Sequence, residues 1–422
     1  MRKNRSLGSI IIISLLSGGL SYNSKAQIAG SNSQLDGRQN TITTAVPFLM
    51  ITPDARGGGM GDVGAATPND ANAMHWNLSK VVFNEKAGAV SLSYTPWLRS
   101  LVPDISLAYM SGYAKVGDRS AVSGSLRYFS LGQIQFTDQF GNSTGNYNPN
   151  ELAVDLGYAS KLSEHFSLGI AFRYIRSDLA GAFNQGQTPV RAGNAFAGDI
   201  TSYYTNKTKI KIEGKKYNLN YGIGAAITNI GSKISYTSQQ FQNFIPINLR
   251  VGGYGQLEID KYNTIALAVD FNKLMVPSNP VYSRDSSGVI IIKDGKPVIA
   301  DGYDPDVPLI QGMLQSFYDA PNGLKEELQE INISTGLEYW YDKQFALRTG
   351  FFYESQNKGA RKFLTFGAGF RFNVFGLDLS YLVPIENRNP LERTLRFTLI
   401  FDLDAFASQN KEDQAPPQNK DF

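Results

Sequence analysis

The chain has 422 residues, no cysteine, 41 glycines and 12% aromatic residues, which excludes disulfides, thiolate metal sites and a cysteine nucleophile. Its 40 basic and 37 acidic residues give a formal charge of +3; Arg2, Lys3, Arg5 and Lys25 precede a predicted cleavage site, and without them 36 face 37, about −1. That balance excludes a nucleic-acid binder by charge.

Residues 1–26 read as a secretory signal peptide: a basic start, an apolar core from Leu7 to Leu20, and Ser24-Lys25-Ala26 with small residues at the cleavage positions. No later stretch approaches the eighteen or so apolar residues of a spanning helix. Residues 27–40 are polar and without period, and are expected to be flexible. Residues 41–84 are dense in glycine, alanine and turn formers, which break a strand ladder. They predict a compact plug inside a lumen. Its candidate residues are Asp54, Arg56, Gly57, Gly58, Gly59, Gly61, Asp62 and Trp76, with Asp54, Arg56, Asp62 and Asp70 set to meet charges on the wall.

Residues 85–404 predict the barrel. Strand-like alternation runs through Ala87–Tyr94, Asp104–Lys115, Ala121–Leu131, Glu151–Ala159, Phe166–Ser177, Lys216–Thr228, Lys233–Thr237, Asn248–Ile259 and Thr264–Asn272, then five times between Ile331 and Leu403. The total is about fourteen, and short and long connections alternate along the chain. One face is small or charged (Gly169, Ala171, Arg173, Asp270, Glu338, Arg371), and the other is Leu, Ile, Val, Phe and Tyr. A soluble core with such charges is costly, whereas a wet or plugged lumen accepts them. The fold expected is an all-β, fourteen-stranded antiparallel transmembrane barrel with an N-terminal plug, helix-containing extracellular loops and a polar tail at 405–422.

Two connections are long. Asp178–Lys215 predicts a loop with a helical turn at Ala195–Tyr204. Lys273–Glu330 predicts a hairpin about Asp294-Gly295, then a helix capped by Asp306 with Leu309, Ile310, Met313, Leu314, Phe317 and Tyr318 on one face, and a second helix over Leu324–Glu330. That apolar face either folds back onto its own loop or caps the barrel, or it docks a partner at the barrel's outer end.

No catalytic, cofactor or metal site is expected. His75 and His165 are far apart in sequence and read as packing or solvated groups. Gly57-Gly58-Gly59-Met60-Gly61 lacks the Lys-Ser or Lys-Thr of a phosphate loop. Asp301, Asp304 and Asp306 do not have calcium-loop spacing and read as turn and capping acids.

The block Thr44–Thr67, TAVPFLMITPDARGGGMGDVGAAT, with Asn69–Asn77, NDANAMHWN, resembles the PorV (LptO) family, outer-membrane barrels of the Bacteroidota type IX secretion system related to FadL-like fatty-acid transporters. The resemblance implies a non-enzymatic carrier in the outer membrane with both termini in the periplasm. Its implied partners are the large translocon barrel, the C-terminal signal domains of cargo, a sortase-containing attachment complex, and outer-membrane lipid and lipopolysaccharide; nucleic acid is not among them. The alternative it leaves is passive transport of fatty acids or other hydrophobic small molecules. Where FadL-like chains often read Trp-Asn-Pro-Ala, this one has Trp76-Asn77-Leu78-Ser79.

Overall fold

The computed structural model describes residues 40–99, 102–137, 140–179, 191–236, 242–386 and 390–403. The predicted signal peptide, the stretch up to residue 39 and the 405–422 tail lie outside them. Fourteen strands close into one antiparallel barrel in chain order, the last pairing with the first. They are β1 (Gly88–Pro96), β2 (Ile105–Val116), β3 (Ser120–Leu131), β4 (Asn150–Lys161), β5 (Phe166–Asp178), β6 (Gly193–Ile212) and β7 (Lys215–Gly231). The second half comprises β8 (Asn248–Glu258), β9 (Asn263–Leu274), β10 (Asn332–Tyr341), β11 (Phe345–Tyr353), β12 (Lys362–Phe372), β13 (Phe375–Pro384) and β14 (Leu395–Asp402).

Alternation along each strand splits the barrel wall into two chemistries. Leu92, Ile170, Phe172, Ile223, Leu347 and Phe366 stand exposed on the outside, while Ser91, Arg173, Asp270, Glu338, Asp378 and Arg396 are buried inside. An apolar exterior around a polar interior inverts the usual soluble arrangement and suits hydrocarbon. Closure leaves no unpaired edge within the bilayer. Links 117–119, 162–165, 213–214, 259–262, 342–344 and 373–374 are short and share one rim, and every link at the other rim is longer.

The strand count conceals two errors that cancel. Ala195–Tyr204 is not a helical turn; it belongs to β6, paired with β5 from Gly193 to Tyr204. Its alternation is muted because the inward residues are Ala195, Ala197, Asp199, Thr201 and Tyr203, and a register shift falls between Gly198 and Ile200. Conversely, Lys233–Thr237 is not a barrel strand: Ile234 makes an isolated bridge to Asn243 and is buried in an apolar cluster with Phe244, Ile245 and Ile247. Thr237 lies outside the described residues.

Candidate functional site

Inside the barrel, residues 46–83 run through a turn at Pro47–Met50, helix α1 (Ala55–Gly59), helix α2 (Ala73–Trp76) and a turn at Leu78–Phe83. Backbone amides of this plug donate to wall side chains: Ala55 to Thr398 Oγ1 at 2.9 Å, Gly61 to Thr365 Oγ1 at 2.8 Å, and Gly64 and Ala65 to Asp270 Oδ2 at 2.7 and 2.8 Å. An aligned row of charges follows, with Arg56 held by Asp70 at 3.0 Å and by Glu338 at 2.9 Å, Glu338 by Arg348 at 2.8 Å, and Arg348 by Asp378 at 2.8 Å. Each charge of this row faces an opposite one, which is what makes a desolvated network tolerable.

Of the four plug charges expected to meet the wall, Arg56 does so through Glu338, and Asp62 lies 3.9 Å from Arg396. Asp70 meets Arg56 of the plug itself. Asp54 turns inward, accepting from the Gly57 amide at 2.8 Å and Trp76 Nε1 at 2.7 Å. It ties α1 to α2, because a carboxylate before a helix start captures free amides. Packing explains the glycines: a Cβ on Gly57 or Gly64 falls 2.3 or 2.1 Å from the Trp76 ring, and one on Gly58 falls 2.8 Å from the Arg396 side chain. Gly59 backs onto the Gly367 backbone, and Gly61 adopts φ 73° beside the Phe351 backbone. The wall reciprocates, since a Cβ on Gly350 meets Gly61 N at 2.1 Å. The glycine run is therefore a plug-to-wall contact and not a phosphate cradle. Sequence reasoning assigned no such role to the facing wall glycines, whose signal appears only once strands are closed around the plug.

The second feature is a cap at the long-link rim. Helices α3 (Leu309–Gln315) and α4 (Leu324–Gln329) form there, beyond a hairpin in which Asp294 and Gly295 take φ 53° and 78°. Asp306 does not cap α3: Pro308 holds that position without a side-chain bond, and Asp306 pairs with Lys233 at 3.2 Å. The expected apolar face divides. Met313 is buried in the apolar cluster that includes Phe244, Ile245 and Val276, with Leu309 half-buried at its edge, whereas Ile310 (61%), Leu314 (61%), Phe317 (43%) and Tyr318 (56%) are exposed. Leu324 and Leu328 of α4 add exposed apolar surface.

A buried ion cluster anchors the cap. Lys358 Nζ lies 2.6 Å from Glu326 and 2.9 Å from Glu330; Lys273 pairs with Glu327 at 3.0 Å and also with Glu330; Ser278 donates to Glu330 at 2.6 Å. Burial, with Glu327 and Glu330 nearby, pushes the Asp319 carboxyl up to about 6, against the lowering effect of the Ser278 amide bond. Burial works against ionisation of Glu326 as well, but its bonds to Lys358 and Asn40 hold it below the ordinary range. Between the first plug turn and the wall, a cavity of about 240 Å³ is lined by Phe48, Trp97, Phe129, Phe363, Leu382 and Arg396, among others.

His75 is buried, with Nδ1 2.7 Å from Arg127 Nη2, and its ring packs edge-on to Trp76. His165 is exposed in a short link, its Nδ1 3.0 Å from the Thr205 carbonyl oxygen. The structure does not bring the two together. Asp304 accepts from the Asp306 amide at 2.9 Å, a turn bond.

A closed fourteen-strand antiparallel barrel, apolar outside, plugged within and capped at one rim, defines an outer-membrane β-barrel protein. Residues 34–281 match the family model described as Type IX secretion system protein PorV. The chain belongs to the PorV family, and so to the type IX secretion machinery of the outer membrane. No curated protein matches it by sequence. Among solved structures it is similar to the toluene transporter TodX of Pseudomonas putida (11% identity, 82% of this chain and 95% of that one, TM-score 0.43). It is also similar to the toluene transporter TbuX of Ralstonia pickettii (13%, 83% and 97%, 0.42) and a FadL homologue of Pseudomonas aeruginosa (11%, 86% and 99%, 0.38).

Proposed function

We propose that this barrel is a cargo carrier of type IX secretion. It partners the large translocon barrel, binds the C-terminal signal domain of emerging cargo, and delivers that cargo to a sortase-containing attachment complex. The short-link rim and both termini face the periplasm, as short turns do in barrels of this kind, so the cap faces outward. Family membership supports the pathway, and one observation supports the docking surface: Ile310, Leu314, Phe317 and Tyr318 are exposed on a cap that carries a buried ion cluster. Apolar groups held in place on a rigid platform lose little entropy on binding. The chain contributes surface to this process and no catalysis.

The test is Ile310→Asp, Leu314→Asp and Phe317→Asp together, which spares the buried Met313 and the half-buried Leu309. The barrel assembles, shown by its heat-modifiable mobility, while cargo fails to reach the cell surface; normal surface delivery sinks the docking reading. A second reading, passage of hydrophobic small molecules, draws support from the apolar cavity beside Phe48, Phe129 and Phe363. It requires that deletion reduce uptake of such a compound with secretion unchanged.

A further inference from the structure

The β6–β7 hairpin outruns its neighbours. Pairing of β6 with β5 stops at Tyr204 opposite Phe166, yet β6 continues to Ile212. On the other side β8 ends at Glu258 opposite Asn218, while β7 begins at Lys215. The tip therefore projects roughly 26 Å past β5 at about 3.3 Å per residue. Along it stand Lys207, Lys209, Lys211, Lys215 and Lys216, all exposed, against the single acid Glu213.

Thr205 directs both backbone groups toward β5: its N–H donates to His165 O at 2.9 Å, and its carbonyl oxygen lies 3.0 Å from His165 Nδ1. Strand alternation turns the backbone groups of Lys207, Lys209 and Lys211 to the same side, where β6 has no strand partner. The Lys207 amide is taken by Asn206 Oδ1 at 2.7 Å, and the edge is open beyond it. Side chains sort as well. Asp199, Thr201 and Tyr203 face the lumen, so Lys207, Lys209 and Lys211 continue that face, with Lys216 directly opposite Lys211. Ile210, Ile212 and Tyr217 lie on the lipid side.

We propose that this hairpin is a docking strand for an acidic, extended segment of a periplasmic protein, which adds to the open β6 edge and neutralises the lysine face. A lysine or two suffices to keep an edge from pairing with itself, but that does not account for an edge that runs eight residues past its neighbour. Directly opposed like charges such as Lys211 and Lys216 are unfavourable until an anion lies beside them. Strand addition supplies both backbone bonds and charge matching. Lipid headgroups fit less well, because four of the five lysines lie on the lumen side, Lys215 alone sharing the lipid-side face with its cross-strand partner Ile212.

The proposal rests on the short-link rim being periplasmic, and that is tested apart from cargo delivery. In this cysteine-free chain, Glu213→Cys reacts with an impermeant maleimide only after the outer membrane is opened; reaction in intact cells overturns the proposal. The full chain in neutral detergent is then titrated with a fluorescent Thr-Glu-Val-Glu-Val-Glu-Thr peptide and followed by anisotropy. Wild type binds with an affinity that falls as salt rises, and Lys207→Glu, Lys209→Glu and Lys211→Glu together weaken binding at least about tenfold. Lys209→Pro loses about tenfold relative to Lys209→Ala, because proline removes an edge amide without touching the β6–β7 pairing. Heat-modifiable mobility checks assembly of each variant. No binding to wild type, binding equal in the triple variant, or anionic lipid retained by wild type in place of peptide each overturns the proposal.

Discussion

Replacing Lys358 by Met tests whether the cap is held by its ion cluster. Lys358, Glu326 and Glu330 are 5%, 3% and 5% exposed, so the substitution strands two carboxylates away from water. Losing one partner of a buried pair costs about 3–5 kcal/mol. The lower end applies, because Glu330 keeps Lys273 and Ser278, and Glu326 keeps Asn40 and the Asn322 amide. About 3 kcal/mol raises the population of the released cap roughly a hundredfold. Lys358 lies in the 354–361 link, outside the strands, so the barrel and its heat-modifiable mobility persist. Hydrogen exchange in detergent then shows amides of residues 309–330 losing protection while the strands keep theirs. Adding Glu326→Gln to Lys358→Met restores most of that protection, since it removes the stranded charge. Unchanged exchange over 309–330 in the single variant refutes the reasoning.

Gly350→Val places a side chain where Gly61 N and the Met60 backbone stand, 2.1 Å from the position of a Cβ; overpacking of about 1–3 kcal/mol or more displaces the plug, read as faster exchange over residues 55–66 with closure of the barrel intact. The raised Asp319 carboxyl, at about 6, makes the cap more stable when protonated. That contribution is fully present below the ordinary carboxylate range and is lost as pH rises through 6. Exchange of residues 309–330, corrected for intrinsic rate, therefore quickens between pH 5 and 7, and Asp319→Asn flattens that change; a wild-type profile without slope in this window contradicts the assignment. Glu338→Leu removes the shared partner of Arg56 and Arg348, loosening the plug by about 3–5 kcal/mol, and plug accessibility equal to wild type argues against the charge row as its anchor.

Much of the architecture lay in the local pattern. Period-two alternation suits any antiparallel sheet with two unlike faces, a soluble one included; it points to a barrel wall here because short and long links also alternate along the whole chain. The glycine-rich stretch announced a compact insert, since a strand ladder cannot contain it. The Asp294-Gly295 turn was equally local, as those residues tolerate positive φ. Closure around the plug decided the rest. Arg56 chose Glu338, 282 residues away, Asp54 chose Trp76 over the wall, and Gly350 proved to be contact surface for Gly61. The helix face from Leu309 to Tyr318 looks uniform as sequence, but it splits once Met313 joins the buried cluster of Phe244 and Val276 and Ile310 and Leu314 are left bare. Sequence order records which residues can share a face; which of them meet across a lumen depends on bringing distant strands together, and that is set by the closed sheet.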